Sequence, residues 1–299
     1  MKEDHPIVVR VRQRLRWHVT QPFERGVRAP LRRLRNAGRE FRPIFVAGVA
    51  GSGTSLVAVA LAQRFDCAGI AYESAHEVAK SSFLHGPMQG FDTVQEYLDG
   101  ITPRDSWSVE AGRRDLQELY RACCSGPAEW VCDKGPNVNL VRAGFLARCF
   151  PDAPFVLVFR NPLANVEGFR RKWSLFGDAP LAESIRFYRE TYEAFLRQAA
   201  SFPERVVAVE YEEFVEQPDA RLQAIGARLR LPAARRALRI PSRPNVEGRG
   251  VRNVKRNRVG FVAGTTDRAL ARLDAAQAEE IRAALGPLHE RLRSLPCKV

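Results

Sequence analysis

Four short apolar runs, which alternate with stretches of helical periodicity, constrain the fold of this chain more than any other feature. The runs lie at residues 44–47, 130–132, 155–159 and 206–209, and the first precedes a predicted helix over Thr54–Arg64. Strands that are apolar on both faces are buried on both faces, and strands that alternate with helices pair in parallel. We therefore predict an α/β fold with a central parallel sheet flanked by helices.

The segment between the first two runs, residues 66–129, lacks this alternation and contains several turn-forming glycines and prolines. We predict that it forms an irregular and helical insertion over one end of the sheet, where an acceptor pocket would fit. One α/β domain is expected over residues 43–299, with a last helix near residues 275–294. Residues 1–42 are expected to form a separate N-terminal extension.

This N-terminal extension is strongly basic. It holds 12 Lys or Arg against 4 Asp or Glu, which supplies +8 of the net charge of +13 of the whole chain. Apolar and arginine residues alternate over residues 9–17, a pattern typical of an edge strand or of a short basic helix. Two interpretations stay open: an arm that docks on an anionic membrane surface or acceptor, and a solvated extension packed loosely on the core.

A glycine-rich loop, GVAGSGTS, follows the first predicted strand and opens the first predicted helix. Glycines let the backbone curl around an anion, and the amides at a helix N-terminus then point at phosphate. The candidate binding residues of this loop are Gly48, Gly51, Ser52, Gly53, Thr54 and Ser55. The spacing of its first and last glycines is that of the triphosphatase loop GxxxxGK[ST], but Thr54 stands where that motif requires Lys, which argues against ATP or GTP hydrolysis. A glycine-rich turn without a ligand is the structural alternative.

Four segments between residues 43 and 231 have an order and approximate spacing that a known family shares. Residues 43–56 read PIFVAGVAGSGTSL, residues 133–137 read DKGPN, residues 155–169 include Arg-Asn-Pro after a strand, and residues 210–218 begin with EYEEF and end in Pro. They resemble the PxxxGxxRSGTTxL, [DE]KxPxN, strand–RNP–helix and YExLxxxP motifs of sulfotransferases. The resemblance implies a P-loop-like nucleotide-binding core. It also implies transfer of a sulfonate from 3′-phosphoadenosine 5′-phosphosulfate (PAPS) to a hydroxyl or amine of a carbohydrate, glycolipid or small metabolite.

Two positions depart from these motifs. Gly51 occupies the position where the family places Arg or Lys against the transferring sulfonate, so the loop lacks its usual cation. Gly168 falls where the 3′-phosphate motif often has Ser, which removes one hydroxyl donor.

The resemblance assigns Lys134 to the bridging oxygen between sulfonate and phosphate, where an ammonium stabilises the departing bisphosphate. An acceptor hydroxyl must lose its proton as it attacks, which requires a carboxylate or imidazole within hydrogen-bond reach. The family often places Glu or His shortly after the loop helix, so Glu73 is the first candidate base and His76 the second. The alternative for Lys134 is an exposed lysine in a turn. The alternative for Glu73 and for His76 is a solvated surface residue.

Arg160 ends an apolar strand, where a guanidinium is costly unless it meets an anion. A 3′-phosphate would satisfy it, and a pairing with Glu167 or another carboxylate is the alternative. Tyr211, from the YExLxxxP segment, is counted with the nucleotide-binding residues. Residues 249–260 resemble the basic loop that folds over the nucleotide in the family, or are a solvated basic linker. The candidate phosphate ligands of this loop are Arg252, Lys255 and Arg256.

Composition limits the other possibilities. The five histidines have no ligand-like spacing, so we expect no metal. Six cysteines are too sparse for a disulfide scaffold and fit a reducing compartment. No stretch approaches the length of about 18 apolar residues that a membrane span needs, so we expect a cytoplasmic protein, soluble or peripheral to a membrane.

Three other functions are alternatives to sulfonate transfer. A catalytically silent relative that binds the nucleotide is suggested by Gly51 and Gly168. A small-molecule kinase with a degenerate triphosphate loop is disfavoured by the missing loop Lys. Nucleic-acid binding is not expected, because the basic residues are not interleaved with a regular set of aromatic residues.

Overall fold

The computed structural model describes residues 29–65, 67–69, 93–124, 127–172, 180–231, 265–296 and 298–299. The strands of this described part are β1 Arg42–Ala47, β2 Ala68–Gly69, β3 Trp130–Lys134, β4 Phe155–Phe159 and β5 Val206–Glu210. Its α-helices up to β4 are α1 Ala29–Arg35, α2 Thr54–Arg64, α3 Val94–Ile101, α4 Val109–Cys123, α5 Val138–Val141 and α6 Ala143–Cys149. Those after β4 are α7 Pro162–Lys172, α8 Leu181–Ala199, α9 Tyr211–Glu216, α10 Pro218–Leu229, α11 Thr265–Leu270 and α12 Ala275–Arg293.

The sheet is parallel, with strand order β2-β3-β1-β4-β5. The predicted parallel α/β fold is therefore confirmed, and all four predicted strands are present. β2 was not predicted, because two residues are too short to show an apolar pattern. The strands that follow β1 in the chain lie on both of its sides, so the carboxyl end of β1 is the switch point where ligands bind in folds of this type.

The buried strands alternate their side chains between two hydrophobic layers. Ile44 and Val46 face α2 and α10, whereas Phe45 and Ala47 face the layer that contains α4, α6 and α8. All four side chains are fully buried. This two-sided burial explains why the strands are continuously apolar in the sequence.

The described part of the predicted insertion is mainly helical. Ser108 caps α4 by accepting a hydrogen bond from the Ala111 amide at 3.2 Å. Arg142, which is almost fully buried, donates from Nε to the Ile101 carbonyl at 2.6 Å, and its guanidinium lies 4.8 Å from the ring centre of Trp107. Burial lowers the pKa of Arg142 to about 10. This arginine ties the insertion to the core.

The end of the N-terminal segment is attached to the domain. Asn36 donates from Nδ2 to the carbonyls of Arg121 and Cys124 at 2.9 and 3.1 Å. The Arg39 guanidinium donates to the carbonyls of Pro127 and Ala128 at 2.8 and 2.9 Å. The alternating pattern over residues 9–17 lies outside the described residues, and the boundary at residue 42 stays a prediction.

The C-terminal tail lies along the outer edge of β5. The backbone of Lys298 forms an isolated parallel β-bridge with Ala208, and the Val299 amide donates to the Ala208 carbonyl at 3.0 Å. The Lys298 ammonium contacts the carboxylates of Glu210 and Glu213 at 2.9 and 2.6 Å. This tail covers an edge that would otherwise expose unpaired backbone groups. In the part of the chain that the structure describes, no helix is both long and apolar enough to cross a bilayer.

Candidate active site

The glycine-rich loop lies at this switch point, between the carboxyl end of β1 and the start of α2. Gly51 and Gly53 have φ angles of +90° and +99°. The Ser52 amide donates to the Val49 carbonyl at 2.9 Å, and the first helical hydrogen bonds run from Leu56 and Val57 to the Gly53 carbonyl. The amides of Thr54 and Ser55 precede these bonds, so they are the donors that a helix N-terminus offers to an anion.

The loop residues differ in exposure, and this divides their roles. Gly51 is exposed and Gly53 is half-buried, whereas the Ser52 side chain is completely buried. Ser52 also uses its amide within the loop. In this conformation Ser52 therefore shapes the loop, and the backbone around Gly51 and Gly53 forms its accessible surface.

Asn137, in the turn after β3, holds the loop from one side. Its φ and ψ of 62° and −53°, with a 2.6 Å hydrogen bond from the Val138 amide to the Pro136 carbonyl, form a γ-turn of the rare, strained type. The turn aims Asn137 at the loop: its amide donates to the Gly48 carbonyl at 2.9 Å, and its Oδ1 accepts from the Ala50 amide at 2.8 Å. Strain of this kind persists only where surrounding contacts maintain it.

Asn137 also links the loop to the insertion. Its Nδ2 donates to the Tyr97 hydroxyl at 3.2 Å, and Tyr97 belongs to α3. The predicted acceptor-side segment therefore reaches the loop through one buried side chain. The predicted bases Glu73 and His76 lie outside the described residues.

Two buried tyrosines of α8 form hydrogen bonds with the backbone of the loop, of β4 and of Arg160. Tyr192 accepts from the Val49 amide at 3.3 Å and donates to the Val158 carbonyl at 2.9 Å. Tyr188 donates to the Arg160 carbonyl at 3.1 Å. Burial raises the pKa of both phenols above the ordinary value, so both remain protonated donors.

Lys134 ends β3 in register with Val46, next to the loop. Its ammonium donates to the Ser55 hydroxyl at 3.0 Å. A cation and a hydroxyl at the first turn of α2 add to the helix dipole, and all three favour an anion at this point.

Arg160, just after β4, reaches the loop from the opposite side. Its Nη1 donates to the Gly51 carbonyl at 3.2 Å, its Nε lies 3.6 Å from Glu212 Oε1, and its guanidinium lies 4.9 Å from the ring centre of Tyr211. The Arg160 side chain is 12% exposed. The carboxylate beside it is Glu212, whereas Glu167, the partner suggested from the sequence, lies 3.5 Å from Arg272.

Tyr211 packs directly on the loop. A Cβ atom added at Gly53 would lie 2.2 Å from the Tyr211 ring, so only glycine permits this approach. The ring thus lies between Gly53 and the Arg160 guanidinium.

Glu212 connects this side of the site to the chain that returns after residue 264. It accepts from the Asn161 amide at 3.3 Å and from the Thr266 hydroxyl at 2.8 Å. The predicted phosphate ligands Arg252, Lys255 and Arg256 lie outside the described residues.

The two departures from the family motifs have different surroundings. A Cβ added at Gly168 meets no atom of the described residues within 4 Å, so they leave room for a side chain there. A Cβ added at Gly51 would lie 3.3 Å from Asn165 Nδ2 and would also need a φ of +90°. Asn165, almost fully buried, donates from Nδ2 to the Ala50 carbonyl at 3.3 Å and so stands beside the position of the missing cation.

Sequence reasoning did not select several residues that shape the site: Asn137, Asn165, Tyr188, Tyr192 and Glu212. Asn137 and Glu212 lie inside recognised motifs, so the motifs themselves could have indicated them. The two tyrosines give no signal, because their helix shows only an ordinary amphipathic pattern. Within the described ranges, no group of three or more His, Cys, Asp or Glu is placed to hold a metal ion.

A profile described as "Sulfotransferase family" matches residues 43–235 of the chain. The chain belongs to the sulfotransferase family. The matched residues include the loop, Lys134, Arg160 and Tyr211. A comparison with curated protein sequences gave no match.

Solved bacterial sulfotransferases have a similar fold. The enzyme from Alicyclobacillus acidocaldarius superposes with a TM-score of 0.51 at 20% identity, over 86% of this chain and 97% of that chain. STF1 from Mycobacterium tuberculosis H37Rv gives a TM-score of 0.50 at 14% identity, over 84% of this chain and 78% of that chain. At these identities the likeness concerns the fold, and the chemistry must be argued from the site of this sulfotransferase itself.

Proposed function

We propose that this sulfotransferase uses PAPS as its donor and transfers the sulfonate, without a metal ion, to a hydroxyl or amine of a carbohydrate, glycolipid or small metabolite. The observation that carries the proposal is the convergence of Lys134 and Arg160 on one glycine-rich loop, through Ser55 and Gly51. Two cations on opposite sides of a helix N-terminus fit a ligand with more than one anionic group.

The loop supplies the binding of the 5′ end of the donor. The amides of Thr54 and Ser55 and the dipole of α2 favour a phosphate at this point. A transferring sulfonate carries less charge than a terminal phosphate, so amides, hydroxyls and one ammonium can compensate it. This supports transfer without a metal, with the donor as a consumed substrate.

Lys134 is proposed to stabilise the leaving phosphate. Its half-buried ammonium donates to the Ser55 hydroxyl at the loop, so it is positioned to act where charge grows as the sulfur–oxygen bond breaks. Since Gly51 supplies no cation, Lys134 is the principal positive charge proposed for this step.

Arg160 and Tyr211 are proposed to hold the nucleotide beyond the loop. A guanidinium that is mostly buried against a tyrosine ring keeps a fixed orientation, and its fork suits bidentate contact with a 3′-phosphate. Arg252, Lys255 and Arg256 are proposed as additional phosphate ligands, and Thr266, which follows them in the sequence, bonds to Glu212 beside Arg160.

The acceptor side is proposed to lie on the insertion. Glu73 is the first candidate for the base that removes the acceptor proton, and His76 is the second. Asn137 is hydrogen-bonded both to Tyr97 of the insertion and to the loop. These bonds support an insertion that helps to position the donor site. A cytoplasmic location remains part of the proposal.

A catalytically silent donor-binding protein is the second candidate, and Gly51 favours it. A loop position with a φ of +90° and Asn165 beside it does not accept the usual Arg or Lys without strain. The two candidates share the donor site and differ in turnover.

Donor binding is tested by thermal unfolding with 3′-phosphoadenosine 5′-phosphate (PAP) or with ATP and magnesium. A ligand that binds only the folded state raises the melting temperature. We expect PAP to raise it and ATP to raise it less. The reverse order, together with magnesium-dependent ATP consumption, would favour a kinase.

Turnover is tested with radiolabelled PAPS and a panel of hydroxyl and amine acceptors, for the wild type, Lys134→Ala and Lys134→Arg. We expect Lys134→Ala to lower kcat by about 10²-fold while PAP binding changes much less, and Lys134→Arg to retain part of the rate. Equal background rates in all three proteins, with PAP still bound, would identify the silent relative.

A further inference from the structure

Helix α1 presents an apolar and basic face to solvent. Leu31 and Leu34 are 60% and 75% exposed, the highest values for large apolar side chains in the described part of the chain. They lie three residues apart and therefore share one face of the helix. The exposed Arg33 and Arg35 flank them on either side, whereas Arg32 is half-buried, and α1 contains no acidic residue.

This exposure does not reflect a detached helix. α1 packs on α4, and the turn after it is fixed by the bonds of Asn36 to the carbonyls of Arg121 and Cys124. Arg39 adds two further bonds to the chain before β3. The core therefore holds α1 in place while both leucines point away from it.

Two acidic side chains of the segments that adjoin α1 pair with arginines. Glu40 lies 3.4 Å from Arg113 and 3.3 Å from Arg121, and Glu129 lies 3.5 Å from Arg42. Neither Arg33 nor Arg35 forms an ion pair with any described residue. Over the described residues 29–42, five arginines stand against one glutamate, so the charge of this segment is positive.

We propose that the solvent-facing side of α1, formed by Leu31 and Leu34 with Arg33 and Arg35 beside them, is a docking surface for an anionic phospholipid bilayer. Leucines enter the acyl boundary while arginines contact lipid phosphates, which is the arrangement of interfacial helices. A lipid surface fits better than a protein partner, because two leucines on a convex helix form no groove and the exposed side chains that flank them, Arg33 and Arg35, are both cationic. Weak, reversible binding follows from so small an apolar face.

The position of α1 sets the orientation of the docked protein. α1 leads into the amino end of β1, whereas the glycine-rich loop follows its carboxyl end. A strand of this length spans roughly 20 Å. Docking through α1 therefore keeps the candidate active site away from the bilayer. We expect membrane docking to leave the affinity for the donor unchanged.

The test is flotation of the full chain with vesicles of phosphatidylcholine alone or with about 30% phosphatidylserine, at low and high salt. We expect binding to the anionic vesicles only, reduced at high salt. The double variant Leu31→Ser/Leu34→Ser should bind about tenfold more weakly, since both apolar contacts are lost. Arg33→Gln/Arg35→Gln should weaken binding on the order of tenfold, because each basic residue near the surface contributes several-fold. Leu270→Ser, at the remaining exposed leucine among the described residues, is the matched control and should bind as the wild type does.

Three results would overturn the proposal. The first is unchanged vesicle binding by the leucine variant while its PAP-dependent melting shift shows that it is folded. The second is equal wild-type binding to neutral and anionic vesicles. The third is a dimer in light scattering that Leu31→Ser/Leu34→Ser dissociates without any effect on vesicles, which assigns the face to a second copy of the chain. The outcome is independent of whether PAPS is the donor.

Discussion

Replacement of Gly48 by alanine tests the tightest contact of the glycine-rich loop. An added Cβ would lie 2.4 Å from the Val158 carbonyl, 2.5 Å from Ser52 Oγ and 2.8 Å from Thr54 Cγ2. The carbonyl belongs to the fully buried centre of β4 and cannot rotate away. The loop must therefore move by about 1 Å to reach an ordinary contact distance.

That movement breaks two hydrogen bonds, and its energetic cost is the sum of their loss and of the residual overpacking. The Gly48 carbonyl accepts from the Asn137 amide at 2.9 Å, and the Ala50 amide donates to Asn137 Oδ1 at 2.8 Å. Two such bonds contribute about 2 kcal/mol, and residual overpacking costs about 1 kcal/mol or more. We expect Gly48→Ala to lower the free energy of unfolding by about 3 kcal/mol and to weaken PAP binding about tenfold or more, since the loop amides are displaced.

The assay is urea unfolding followed by tryptophan fluorescence, with PAP affinity measured by calorimetry. Gly168→Ala, inside α7, is the matched control, because the same methyl group meets no atom within 4 Å in the part of the chain that the structure describes. It should stabilise the protein by about 0.5 to 1 kcal/mol, because alanine has the higher helix propensity. If Gly48→Ala proved as stable as the wild type and bound PAP equally well, the close packing of the loop against β4 would be refuted.

Three further predictions follow from individual contacts. Asn137→Asp keeps the acceptor for the Ala50 amide but adds a negative charge beside the loop, so calorimetry should show PAP affinity about tenfold lower; equal affinity would remove Asn137 from the site. Gly168→Ser restores the motif hydroxyl in open space and should raise PAP affinity several-fold relative to Gly168→Ala, whereas no gain would place the 3′-phosphate elsewhere. Burial lowers the pKa of His289, so the unfolded chain binds a proton first and the free energy of unfolding should fall from pH 7.5 to about pH 5.5. His289→Gln should flatten this dependence in urea titrations, and an unchanged slope would show that another group titrates.

The parallel sheet was predictable from the sequence because its strands are buried on both faces. The apolar runs at β1, β3, β4 and β5 each require two covering layers, and this requirement leaves a local signal that needs no knowledge of the partners. β2 left no such signal, because two residues that pair with β3 through their backbone need no particular side chains.

Part of the candidate site was likewise predictable from the sequence, and part depended on the register of the strands. The glycine-rich loop, Lys134 and Arg160 follow strand ends within short motifs, and the parallel topology brings strand ends to one edge of the sheet. Their mutual approach, through Ser55 and Gly51, depends on the register of β1 with β3 and β4. The register places Val46 opposite Lys134, which no motif states.

The supporting residues were decided by the tertiary structure alone. Tyr192 lies more than a hundred residues after Val49, yet its buried hydroxyl bonds to the Val49 amide. Asn165 and Glu212 likewise meet their partners through the packing of α7 and α9 against the loop and β4. By itself the sequence determined the sheet, the loop and the two cations, because burial and local motifs act over a few neighbouring residues. Which side chains hold that loop depended on contacts between distant segments, whose geometry exists only once the helices have packed.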